Sequence, residues 1–134
     1  MTEEVFEYLM RPRETAKLIR QKREKRMELI CSLGAKAIRY DLDKVQTTPG
    51  DRMSDIMAEV SELDDEIREL KERLRSERRE LSEWFAELEE TDAKMMRLRY
   101  LDGVTWEVIS KATHRSERTN FRRHKEITDN KMWF

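Results

Sequence analysis

Glycine and proline are scarce in this chain, three and two among 134 residues. Helices therefore meet few breakers, and long ones are expected. The same scarcity, with runs of Glu, Lys, Arg, Leu and Met, argues against a substantial sheet. Cysteine occurs once, as Cys31, which excludes an intrachain disulfide and fits a reducing compartment. No apolar run approaches the roughly 18 residues of a membrane span, so no membrane association is expected. The opening MTEEVFEYLM is acidic and unlike a signal peptide, which adds to the expectation of a cytoplasmic protein. The two histidines, His114 and His124, lack Cys or His partners at metal-ligand spacing. No glycine-rich phosphate loop is present. The many carboxylates fall in helical stretches, where they face water rather than form acid–base pairs. No enzymatic activity, metal or cofactor is expected.

Charge is abundant instead. Charged residues make up 43% of the chain and apolar ones 37%, too polar for a large spherical core but suited to helices that each bury one stripe. The charge is arranged in blocks. Residues 11–50 carry 11 basic and 5 acidic side chains, whereas 51–91 carry 7 basic and 15 acidic. Blocks of opposite sign invite pairing within the chain.

The second block holds a heptad pattern. Ile56, Val60, Leu63, Ile67, Leu70, Leu74, Leu81, Trp84 and Leu88 recur at steps of three and four, with one place taken by Glu77. One helix over 53–90 cannot bury that stripe alone. The expected partner is 12–40, where Pro12 suits a first helical turn. There Ala16, Ile19, Ile30, Leu33, Ala37 and Tyr40 follow a weaker stripe, interrupted by Arg23 and Arg26. The segment DLDKVQTTPGD reads as the turn, and Asp51 or Ser54 as a cap for the second helix. Two helices leave Trp84 and Phe85 poorly covered, so a homodimer is a second way to bury them.

Beyond Glu90 the chain changes character. Thr91 or Asp92 is placed to cap a helix whose apolar face includes Met95, Met96, Leu98 and Tyr100. Asp102-Gly103 ends it, with Gly free to turn left-handed. Thr105 caps a short helix through Trp106 and Ile109, and Ser116 caps a third, ERTNFRRHKEI. Leu98, Tyr100, Trp106 and Ile109 are the expected core of this head. Three short helices on tight turns have the outline of a helix-turn-helix unit. Its last helix and the turn before it are basic. Arg115, Arg118, Arg122, Arg123 and Lys125 suit phosphates or an acidic partner, and Asn120 suits adenine. Met132, Trp133 and Phe134 form an apolar end expected to be covered.

MMRLRYLDGVTWEVIS at 95–110 resembles region 4 of bacterial sigma factors, and more closely the phage-encoded region-4-like proteins of Gram-positive bacteria. DKVQTTPGDRM at 43–53 resembles the connection of the N-terminal helical hairpin such proteins carry. The resemblance implies phage gene regulation, in some members late-gene activation. The chain departs from the pattern at the last turn and helix. The family has Leu and Gly near Thr113 and His114, and apolar residues near Asn120 and Arg123. Polar residues there predict lost burial or polar groups short of partners. The alternative is a rotated helix with Phe121 turned inward.

The expected fold is therefore all-α: a long antiparallel helical hairpin, a coiled-coil-like stalk over 1–90 turning near 41–52, then a helix-turn-helix head over 91–134. The expected function is DNA-binding transcription regulation in a bacterial host cell. The head would sit on double-stranded DNA and the stalk on a protein partner such as RNA polymerase. The second reading is a protein-binding inhibitor or adaptor on the same scaffold, such as a phage protein that disables a host nucleoprotein of the defence-nuclease kind.

Overall fold

The computed structural model describes residues 1–43 and 49–130, with the side chains of 1–34 and 52–130. Among these residues it is all-helical. The order is α1 (Glu3–Asp43), α2 (Pro49–Ala86), α3 (Glu90–Tyr100), α4 (Trp106–Thr113) and α5 (Glu117–Asn130). No helix among the described residues is long and apolar enough to cross a membrane. The turn expected near Thr47, the side chains of Ala37 and Tyr40, and the Met132–Trp133–Phe134 end lie outside the described residues.

Two boundaries differ from expectation. Pro12 lies inside α1 rather than at its start. Proline lacks the N–H that would bond to Tyr8, yet the turns ahead of it are anchored because Val5 and Leu9 are buried. At the other long helix, Pro49 takes the first helical position, so Asp51 and Ser54 fall inside α2 rather than cap it.

The chain divides into two compact units, 15–73 and a second formed by 1–14 with 74–134. In the first, Ile56, Val60, Leu63 and Ile67 of α2 are buried, and Leu70 is half-buried. Opposite them α1 buries Thr15 and Ile19, and half-buries Lys22, Arg26, Ile30 and Leu33. Ala16 is exposed, so the α1 stripe passes through polar side chains that hydropathy does not reveal. Lys22 and Arg26 lay their stems along the apolar contact and pair at their tips. Lys22 Nζ meets Glu66 Oε2 at 2.9 Å, and Arg26 Nε donates to Asp64 Oδ1 at 2.6 Å. The partner numbers fall as the α1 numbers rise. Arg23 and the lone Cys31 are exposed.

In the other unit all five helices contribute to one core. It joins Val5, Leu9, Leu81, Trp84, Phe85, Met95, Met96, Tyr100, Ile109 and Ile127. Leu88 and Leu98 are half-buried against it, as is Trp106; Leu74 is also half-buried. Leu88 lies past the end of α2, where its amide bonds to Phe85 O at 3.1 Å and closes the helix. Trp84 and Phe85 are 5% and 0% exposed within one chain, so neither calls for a second copy to cover it. Glu77 is buried, with Arg11 Nε 3.4 Å away.

Candidate functional site

The site is built on α3, α4 and α5. α3 begins one turn's edge earlier than expected: Glu89 is its N-cap and no side chain caps it. Its far end is held by donors from elsewhere in the same unit. Arg13 Nη2 donates to Arg99 O at 3.1 Å, and Arg78 Nη1 to Leu101 O at 2.9 Å, which satisfies carbonyls a helix end leaves open. Gly103 then takes φ +67°, the left-handed turn expected of Asp-Gly. Thr105 caps α4, its Oγ1 accepting from Val108 N at 3.4 Å. Ser116 opens α5 with its Oγ accepting from Thr119 N at 3.1 Å. Between α4 and α5, His114 holds the left-handed conformation at φ 57°.

Asp92 does not cap α3. It is 1% exposed and points into the unit, where two arginines reach it. Arg115 Nη1 donates to Asp92 Oδ1 at 2.9 Å, and Arg123 Nε donates to the same oxygen at 3.3 Å. Arg123 Nη2 donates to Asp92 Oδ2. From Arg115 the bonding continues inward. Its Nε donates to Asn120 Oδ1 at 3.1 Å, Asn120 Nδ2 donates to Thr113 Oγ1 at 3.2 Å, and Thr113 Oγ1 donates to Ile109 O at 2.7 Å. Ser110 Oγ donates to Arg115 O. The polar residues at 113, 120 and 123 are thus one connected set, closed by a carboxylate from α3. Neither predicted consequence occurs: Asn120 is 0% exposed but bonded on both sides of its amide, and Phe121 is 48% exposed rather than turned inward.

Electrostatics follow from this geometry. Burial works to raise the Asp92 carboxyl, but hydrogen bonds and charge from Arg123 and Arg115 outweigh it, leaving it below the ordinary carboxylate range. Beside this set, Tyr100 and His124 stack at 5.7 Å with Tyr100 Oη 2.5 Å from His124 Nε2. Burial pushes the phenol up to about 12; burial, then the charge of Arg99, pushes the imidazole down. The neutral pair is therefore the stable one. Trp106 stands edge-on to both His124 (5.4 Å) and Phe121 (5.0 Å), with the Arg99 guanidinium 5.0 Å over its ring.

These shifts predict a two-stage loss of stability on acidification. His124 has a folded pKa below the ~6.5 of an unfolded chain, so stability is full above ~6.5 and begins to fall below it. Asp92 also has a depressed folded pKa, so its contribution is full above ~4 and is lost as pH falls through the folded value. Urea midpoints followed from pH 8 to pH 3 should show His124→Gln removing the upper stage. The gap between wild type and Asp92→Asn should close below pH ~4.

The predicted contact residues separate into two groups. Arg115, Arg123 and Asn120 are committed inside the unit. Arg118, Arg122 and Lys125 are exposed, and helical spacing puts them on one face of α5 with Phe121. Three nearby acids are taken up: Glu126 Oε2 accepts from Arg123 Nη1 at 2.6 Å, Asp129 pairs with the amine of Met1, and Glu107 pairs with Lys111 at 3.7 Å, whereas Glu117, exposed in the first turn of α5, stays beside Arg118. Among the described residues, Arg118, Arg122 and Lys125 form no ion pair. Asp92 and the outward Phe121 were absent from the expected site. The signal for Asp92 was the polar trio itself, which requires a buried counter-charge somewhere in the unit. No family model, curated protein or solved structure matches the chain.

Proposed function

We propose that the chain is a phage-type, sigma-region-4-like DNA-binding regulator. In this reading α4 and α5 form the helix-turn-helix pair of a head, with α5 entering the major groove. The long helices form an antiparallel hairpin stalk that engages a protein partner such as RNA polymerase. The observation that carries it is the outward face of α5. Arg118, Arg122 and Lys125 lie there together, with no ion pair among the described residues, on the second of two helices joined by a short turn. His114 supports it by supplying the left-handed residue where the family has Gly. Arg115, Arg123 and Asn120 then serve the site from behind, fixing the angle of α5 on α3. A protein-capture reading is favoured by one observation: Phe121 and Val108, 48% and 49% exposed, present apolar surface beside the charges.

Selection from random duplexes with the full chain, followed by salt titration, tests the proposal. Each phosphate contact should contribute ~0.9 to the slope of log K against log salt. Arg122→Ala with Lys125→Ala should therefore lower that slope by ~1.8. No duplex binding, together with a nuclease-resistant protein partner, would replace this function with protein capture.

A further inference from the structure

Asn120 was the residue suited to reading a base, and it is sealed inside the head. Besides the Glu117 carboxylate of its first turn, the outward face of α5 keeps two chemistries: the guanidinium groups of Arg118 and Arg122, and the ring of Phe121. Guanidinium matches the O6 and N7 acceptors of guanine; an apolar ring matches the methyl group of thymine. We infer that Phe121 is the specificity-determining residue of this face, seating the 5-methyl group of a thymine in the major groove. The inference rests on the reading of the head as a duplex-binding unit.

Three features of the structure support it. The ring is 48% exposed at a position three residues after Arg118 and four before Lys125, so it stands among the cations rather than beside them. It is also held in place. Trp106 meets it edge-on at 5.0 Å and 76°, and Trp106 is itself fixed by His124 at 5.4 Å and by Arg99 at 5.0 Å. A ring already immobilised loses little freedom when a ligand covers it. Finally, the charges choose the occupant. Glu126 and Asp129 of α5 are paired with Arg123 and the Met1 amine, so that Arg118, Arg122 and Lys125 outnumber Glu117, the remaining acid of α5. A polyanion bearing apolar methyl groups complements that pattern; an apolar protein pocket would have to bury three cations that have no ion pair among the described residues.

The test uses the full chain and the duplex enriched by selection. Each thymine is replaced in turn by deoxyuridine, which differs only by the missing 5-methyl group. At one position wild type should lose about fourfold in affinity, the worth of one buried methyl. Phe121→Ala should bind the thymine and uracil duplexes equally, whereas Phe121→Leu should keep a preference for thymine. The salt slope of both variants should equal that of wild type, because no cation is removed. If wild type is indifferent to every replacement, or Phe121→Ala keeps the full discrimination, Phe121 does not read thymine although the head still binds duplex. Duplex binding that enriches no motif overturns the inference in the same way. An absence of duplex binding overturns it together with the function on which it rests. The wild-type replacement series stands even if a variant fails to fold.

Discussion

Asp92→Ala is expected to destabilise the unit that contains α3, α4 and α5 by about 3 kcal/mol. Removing one partner of a buried ion pair leaves the other charge uncompensated, typically a loss of ~3–5 kcal/mol. The lower end applies here. The Arg123 side chain is 34% exposed and retains Glu126, so it recovers part of its hydration. The Arg115 side chain is only 19% exposed, and moving it to water would also strip Asn120 Oδ1 of its donor. The decisive comparison is a combined variant: Asp92→Ala with Arg115→Met, Asn120→Leu and Arg123→Leu. Replacing a whole polar set by apolar residues is often neutral or stabilising, so the combination should regain most of the loss. Chemical unfolding of both variants at pH 7 measures this. A loss under about 1 kcal/mol for Asp92→Ala, or single-site losses that simply add, would mean that the set is not coupled.

How much of this was legible in the sequence depended on whether an interaction was local and apolar. The α2 stripe was readable because Ile56, Val60, Leu63 and Ile67 are aliphatic at heptad spacing, and all four are buried. The facing stripe of α1 was readable only at Ile19, Ile30 and Leu33, because Thr15, Lys22 and Arg26 occupy the other inner positions and polar letters at those places look like interruptions. The caps at Thr105 and Ser116 and the turn at Gly103 were readable, since each acts within a few residues of itself. Val5 and Leu9 were missed because two apolar residues in an acidic segment, followed by a proline, read as the approach to a helix. They are in fact part of the core.

The polar set was beyond pattern reading for a different reason. Arg115 and Arg123 lie 23 and 31 residues from Asp92. No periodicity links residues so far apart. Seen singly, Arg123 belongs to a basic helix and Arg115 to the basic turn before it, both suited to phosphates, and Asn120 reads as part of the same surface. Only the fold shows that these three form one bonded set with Asp92 while Arg118, Arg122 and Lys125 are exposed. The polar residues at 113, 120 and 123 therefore keep α5 in place by hydrogen bonds rather than by apolar contact.

The largest single loss is expected from Phe85→Ala, about 3–5 kcal/mol. The ring is 0% exposed, 5.2 Å from Trp84 and 6.5 Å from Tyr100, in a core to which all five helices contribute. Truncation removes the transfer energy of the ring and leaves a cavity. Trp84 and Tyr100 are large rings on two different helices and cannot both collapse into it. Loss of near-ultraviolet aromatic signal and a lowered urea midpoint would report the effect. Phe121→Ala is the control, because it removes the same side chain from a half-exposed site. It should cost under about 1 kcal/mol, mainly the edge contact with Trp106. The contrast separates two roles for one residue type: Phe85 holds the unit together, while Phe121 can be removed without unfolding it. If Phe121→Ala proved as damaging as Phe85→Ala, the outward ring would be a structural element, and altered binding by that variant would report unfolding rather than a lost contact.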